Sequence, residues 1–179
     1  MIRCLLCTVL SVLMVGAAVL VLAVISTVGC VTIETTEGDE FDVEHTALVV
    51  SAGMELATRE SLAAIEHEAT LIQVRDYLDC MSAAAMAAFG STTSTLDSSK
   101  EKFAMLMEDS AVAELSVPGM LGWFVDQTLV RFPELTRWGP AAKLAISIIE
   151  AMYDPAVVYP EDVQMLAYAF FSGIHNGLR

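Results

Sequence analysis

Hydrophobic and polar residues divide the chain sharply near residue 30. Residues 5–28 contain no charged side chain, whereas residues 32–42 are polar and acidic. A helix over 5–28 would be roughly 36 Å long at about 1.5 Å per residue, enough to cross a hydrocarbon core of about 30 Å. The pattern therefore predicts a transmembrane or signal segment over residues 1–29 and an acidic tether over residues 30–45.

After the tether, apolar residues recur at helical spacing. Residues 46–89 contain no proline and a single glycine, Gly53, and they predict one long helix, assigned to 46–90, or two helices in close succession. Apolar positions spaced by three and four form a packing stripe along its second half. The small side chains near its end permit close approach of another helix. This stripe is a candidate partner surface, represented by Leu71, Leu78, Met81 and Ala85.

The C-terminal half is divided by serine, threonine, proline and glycine. Residues 91–99 form a Ser/Thr-rich linker, and the capping-box pattern Ser98–Glu101 predicts a helix that runs to about Ser116. The Val117-Pro118-Gly119 break and the Trp138-Gly139-Pro140 turn then separate further helices over 120–132 and 140–154. A last helix is expected to begin at Pro160, with its core face formed by Val163, Leu166, Phe170, Phe171 and Ile174.

No segment shows sustained alternation of apolar and polar residues. The fold class predicted is therefore all-α, with an N-terminal transmembrane or signal helix followed by a long helix and a small helical bundle over residues 100–179. Trp123 and Trp138 flank the proline-containing turns of this bundle. They either close its core or form an exposed hot spot for a partner, and both enter the list of candidate partner-binding residues.

The charge excludes one class of partner. The formal net charge is −14, with 23 acidic and 9 basic residues. A surface of this sign repels phosphate backbones, so we expect no nucleic-acid binding. It also repels anionic lipid headgroups, so attachment to a bilayer is expected through residues 5–28 or a lipidated cysteine rather than through charge.

The end of the apolar run resembles the lipobox of bacterial lipoproteins. In Ser26-Thr27-Val28-Gly29-Cys30 a small residue precedes a cysteine, although threonine stands where leucine is usual. The resemblance covers residues 1–30 only, and it implies cleavage before Cys30 and a lipid anchor on its sulfur. The alternative is an uncleaved signal-anchor helix. Arg3 before the apolar run and the acidic residues after it place the bulk of the chain on the extracytoplasmic side in either case.

The sequence contains no complete catalytic or metal-binding motif. His67-Glu68 begins like the zinc-protease motif H-E-x-x-H, but Leu71 replaces the second histidine. Cys80 is expected to be a buried small apolar residue, since no histidine lies near it along the predicted helix. The sequence therefore predicts no catalytic residue, no metal site and no cofactor.

These features favour a non-enzymatic protein that is anchored in a membrane. We expect an accessory or structural subunit of an envelope or virion assembly, which acts by self-association or by binding a protein partner through its helices. Two alternatives stay open at this point. One is an anchored hydrolase whose site joins Cys80 or two carboxylates to His45 or His175 in the fold. The other is a viral membrane-lesion or lysis protein.

Overall fold

A computed structural model describes residues 42–91, 94–152 and 160–179, which belong to one compact unit. The predicted anchor, Cys30 and most of the tether lie outside these residues. The described part contains six α-helices and no strand: α1 Val43–Ala63, α2 Glu68–Phe89, α3 Leu96–Leu106, α4 Val117–Arg131, α5 Trp138–Met152 and α6 Pro160–Gly177. Short 3₁₀ turns at Ser110–Glu114 and Pro133–Leu135 precede α4 and α5. The all-α prediction is confirmed for this part of the chain.

Helix α6 is the centre of the unit, and α1 and α2 both pack along it. Gly173 of α6 lies against Ser51 and Met54 of α1, and Gly177 lies one turn further along both helices, against Thr58. The two helices therefore run in the same direction. A Cβ atom at Gly177 would lie 2.6 Å from the Glu55 carbonyl oxygen. Only glycine at these positions permits so close an approach of the two backbones.

The core beside α6 is aromatic. The ring of Phe171 lies 5.5 Å from that of Phe103 on α3 and 5.3 Å from that of Phe124 on α4, measured between centroids. Phe89 at the end of α2 stacks on Phe171 at 6.3 Å, and Trp138 at the start of α5 meets Phe124 edge-on at 6.3 Å. Such tilted and edge-on pairs add to the area that the rings bury. Phe171 and its aromatic neighbours thus connect five helices, α2, α3, α4, α5 and α6. The predicted core face of α6 is confirmed, because all five of its residues are buried.

The region 46–90 contains two helices in close succession, the second of the two predicted alternatives, and not the single helix assigned to 46–90. Helix α1 ends at Ala63 with two 3₁₀-type bonds, from Ala64 N–H to Ser61 and from Ile65 N–H to Leu62. Helix α2 starts after His67, whose side chain makes no capping hydrogen bond. Neither glycine nor proline marks this break, so tertiary packing decides it. The break allows α2 to return along α6 in the opposite direction, with Asp79 beside His175 and Phe89 beside Phe171.

The start of α3 differs from the predicted capping box. Thr95 is the N-cap, and its hydroxyl accepts the Ser98 N–H at 3.3 Å. Ser99 is buried inside the first turn, where its hydroxyl accepts a hydrogen bond from the Gln164 amide at 2.9 Å. The helix ends at Leu106 and not near Ser116.

The prolines mark helix starts where the sequence suggested interruptions. Val117-Pro118-Gly119 is the first turn of α4, capped by Ser116, and Trp138-Gly139-Pro140 is the first turn of α5. The helices predicted over 120–132 and 140–154 are present as α4 and α5, but they begin three and two residues earlier, because the first turn of a helix has free N–H groups and tolerates proline. The predicted start of α6 at Pro160 is confirmed.

Candidate interaction surface

The predicted partner-binding stripe on α2 lies mostly inside the chain's own core. Leu78 and Ala85 are fully buried and Met81 is 8% exposed. They belong to the face of α2 that packs against the rest of the unit. Leu71, one turn from the start of α2, is only partly buried. Leu78, Met81 and Ala85 are therefore core residues of the unit and not exposed to a partner.

The two tryptophans differ in exposure. Trp138 is fully buried, and its indole N–H donates a hydrogen bond to the Thr58 hydroxyl of α1 at 3.2 Å. This bond satisfies a polar group that would be costly to bury alone. Trp123 is partly buried and packs against the core from α4. Trp138 is thus a core residue that connects α5 to α1.

Cys80 is exposed, which corrects the expectation that it is buried. Successive residues on a helix are turned by about 100°, so Cys80 lies on the far side of α2 from Leu78. Its neighbour Asp79 points toward α6, where its carboxylate lies 3.0 Å from Nδ1 of His175.

The histidines do not form a catalytic site with Cys80 in the described residues. No hydrogen bond joins the Cys80 thiol to His175, while Nε2 of His175 lies 3.2 Å from the Arg179 guanidinium. His45 and His67 are exposed on the surface. No group of three potential metal ligands occurs in the described ranges either.

An exposed apolar surface lies on α1. Leu48 is 69% exposed, Val49 43% and Leu56 56%, and the exposed Ala52 and Gly53 lie between them. Residues spaced by four share one face of a helix, so these five residues form one continuous patch of about 12 Å. We call them the α1 surface. A Cβ atom at Gly53 would meet no atom within 4 Å, so the middle of this surface is open.

Acidic residues border the α1 surface. Glu44 and Glu60 are exposed and have no ion pair among the described residues, whereas Glu55 pairs with Arg59 at 2.7 Å. The surface is therefore apolar in its middle and negative at its border. This arrangement fits a binding site with an apolar centre and a charged rim.

This surface was not predicted, because only one apolar face per helix was expected to be buried. In α1 the buried residues Val50, Met54 and Thr58 form the core face. Leu48, Val49 and Leu56 lie outside that face and are as large as core residues. The signal was present in the sequence: α1 has more apolar residues than one buried face requires.

None of the helices in the described ranges has both the length and the apolar character that a membrane span requires. Comparison with known proteins gives no family: no family model, no curated protein and no solved structure matches the chain.

Proposed function

We propose that this protein is a membrane-anchored, extracytoplasmic, non-enzymatic helical protein that binds a protein partner through the α1 surface. In this role it is an accessory or structural subunit of an envelope or virion assembly. Residues 5–28, or a lipid on Cys30, supply the anchor. The observation that carries the proposal is the concentration of exposed apolar side chains on α1.

The α1 surface differs from the scattered apolar residues that any protein exposes. Three of the nine large hydrophobic side chains exposed in the described residues lie within nine positions of α1. Met105, Val130 and Leu144 are each the single such residue on their helices. Covering exposed apolar area is favourable by about 25 cal/mol per Å². Helix α6 exposes two such side chains, Met165 and Tyr168, so α1 with three exposes more of them than any other helix of the described part.

The border charges specify the chemistry of the partner. Glu44 and Glu60 favour an apolar surface rimmed by lysine or arginine, because opposite charges at a rim accelerate association and select the partner. A second copy would bring the same acidic border and a chain of net charge −14 to the contact. The occupant we propose is therefore a different protein with a basic rim.

The anchor would keep this surface near the bilayer. A tether over residues 30–42 reaches at most about 45 Å when fully extended. The α1 surface begins six residues after Asp42, in the first helix of the unit. The proposed partner is accordingly membrane-bound or held close to the same membrane.

Site-specific photocrosslinking in intact membranes tests this function. A photoreactive amino acid replaces Leu48 or Leu56 in the full chain, and Val130 of α4, which is 78% exposed, is the control position. We expect one discrete adduct with a different protein from positions 48 and 56 and none from position 130. An adduct of two copies of this chain, or equal adducts from all three positions, would contradict the proposed partner.

A loss-of-binding variant tests the same surface. Leu48→Gln with Leu56→Gln removes the apolar centre and should reduce the photocrosslinked adduct formed from a probe at Val49 by about tenfold or more. Because both side chains are exposed, the folding free energy should change by only about 0.5 kcal/mol per site. Val130→Gln is the matched control, and it should leave the adduct unchanged. An undiminished adduct in the double variant would rule out the α1 surface as the contact.

A further inference from the structure

A small cavity lies between the C-terminal end of α1, the first half of α2 and the end of α6. Its volume is about 220 Å³. Three arginines line it, Arg59, Arg75 and Arg179, together with the apolar residues Leu62 and Leu71. No acidic residue is among its lining residues.

This concentration of positive charge is opposite to the character of the chain. The sequence contains 23 acidic residues and only 9 basic ones, yet three of the nine meet at this cavity. They come from three separate parts of the fold. Like charges repel at short range, so an anion that binds between these arginines would relieve their repulsion.

The existing contacts balance the cluster only in part. Arg59 pairs with Glu55 at 2.7 Å, which neutralises one charge. Arg179 contacts the imidazole nitrogen of His175 at 3.2 Å, which fixes its position without an opposite charge. Arg75 is exposed and makes no hydrogen bond or ion pair within the described residues. Arg75 and Arg179 thus line the cavity without a carboxylate partner among the described residues.

We propose that this cavity binds a phosphate group. Guanidinium groups bind phosphate through paired, parallel N–H···O bonds, and a phosphate monoester has between one and a half and two negative charges at neutral pH, about the number that the cavity leaves unbalanced. The cavity is smaller than the roughly 300–1,000 Å³ typical of organic ligand sites. It holds a phosphate with a short carbon stem, which Leu62 and Leu71 contact.

This inference does not depend on the proposed partner or on the membrane anchor. The phosphate group has two possible sources, a soluble phosphate compound or the headgroup of a lipid. Both present the same dianionic oxygens to the arginines. A probe with acyl chains and a probe without them distinguish the two sources.

Isothermal titration calorimetry of the full chain in neutral detergent, at constant ionic strength set with chloride, tests the site. The probes are inorganic phosphate and short-chain dihexanoyl phosphatidic acid. We expect saturable binding of at least one probe and about tenfold weaker binding in Arg75→Gln and in Arg179→Gln. Lys100→Gln removes the same charge from α3, outside the cavity, and should change the affinity by less than about twofold. Arg75→Lys keeps the charge but loses the planar fork, and it should weaken binding as well.

The relative affinities of the two probes distinguish a lipid headgroup from a soluble phosphate. Phosphatidic acid binding tighter than inorganic phosphate assigns the site to a lipid headgroup, and equal binding assigns it to a soluble phosphate. The proposal is overturned when neither probe saturates. It is also overturned when Lys100→Gln weakens binding as much as Arg75→Gln, because binding then reflects net charge alone. Unchanged unfolding midpoints for the variants confirm that any loss is local.

Discussion

At Gly173 and Gly177 the backbone of α6 touches the backbone of α1, so single atoms decide the packing. A Cβ atom at Gly173 would collide with the Ser51 carbonyl oxygen and lie 2.6 Å from Cβ of Met54. Gly173→Ala should therefore lower the free energy of unfolding by about 2–3 kcal/mol, as overpacking of a tight core does. Denaturant unfolding followed by tryptophan fluorescence measures this, because Trp138 is fully buried.

Gly53→Ala is the matched control for this prediction. It lies in the middle of α1, and its new Cβ atom meets nothing within 4 Å. Replacing a helical glycine by alanine should stabilise the protein by about 0.5–1 kcal/mol. Equal effects of the two substitutions would show that α6 and α1 do not pack as described.

Two buried threonines give opposite predictions for one substitution. The Thr128 hydroxyl is buried and has no hydrogen-bond partner among the described residues, whereas the Thr58 hydroxyl accepts the indole N–H of Trp138. Thr128→Val should stabilise the fold by about 1 kcal/mol, since it removes an unsatisfied polar group. Thr58→Val should destabilise it by about 1–2 kcal/mol, since the indole N–H loses its acceptor. Unfolding midpoints of both variants check the signs, and a stabilised Thr58→Val would contradict the described contact.

These residue-scale features lie largely beyond what the sequence reveals. The sequence shows that Gly173 and Gly177 are four residues apart, a spacing that places two small residues on one face of a helix. Nothing in the sequence indicates that α1 is the helix they contact. The same holds for Thr58 and Trp138, which are eighty positions apart.

At the scale of elements, α3 ends with strain that a glycine would relieve. Glu108 has φ 54°, the left-handed conformation usual for glycine at this position. The N–H groups of Glu108 and Asp109 bond back to Met105 and Ala104, the pattern of a Schellman motif. Glu108→Gly should stabilise the protein by about 1 kcal/mol.

A second variant at this position separates strain from charge. Glu108→Ala removes the same carboxylate but keeps a side chain in the left-handed region. It should gain clearly less than Glu108→Gly in a thermal unfolding experiment. Equal gains would show that the carboxylate, and not the backbone conformation, is the cause.

Helix type is predictable from this sequence, whereas helix number and helix boundaries are less so. The last helix was placed correctly at Pro160, since the acidic residues after it mark an N-terminus. Pro118 was placed before the next helix, whereas it lies in the first turn of α4, and the helix expected from Pro140 begins two residues earlier, at Trp138. The break between α1 and α2 has no local signal and follows from packing on α6.

At the scale of the whole molecule, the charge predicts how the protein is held at a membrane. With a net charge of −14, attachment through anionic headgroups is unfavourable. We expect the native chain to stay in the membrane fraction through a 1 M salt wash, in which the Debye length is about 3 Å, and to need detergent for release. Release by salt alone would contradict an apolar or lipid anchor.

The two anchors predict different masses for the native chain. A lipid-anchored form begins at Cys30 and has an added diacylglyceryl group, whereas a signal-anchor form retains Met1. Residue 30 and the apolar run lie outside the described residues, so this alternative depends on the sequence alone. The α1 surface, in contrast, could be identified only from the structure, because the exposure of Leu48 and Leu56 depends on where α5 and α6 pack.

The side of the membrane on which the domain lies is the claim most open to a direct measurement. Cys80 is exposed on α2 and is suited to a membrane-impermeant maleimide applied to intact cells. The account predicts labelling of Cys80 without permeabilisation, seen as a decrease in labelling of Cys80→Ser relative to the wild-type chain, with the other cysteines left in place. Labelling of Cys80 only after the membrane is opened would place the domain inside the cell and contradict the account.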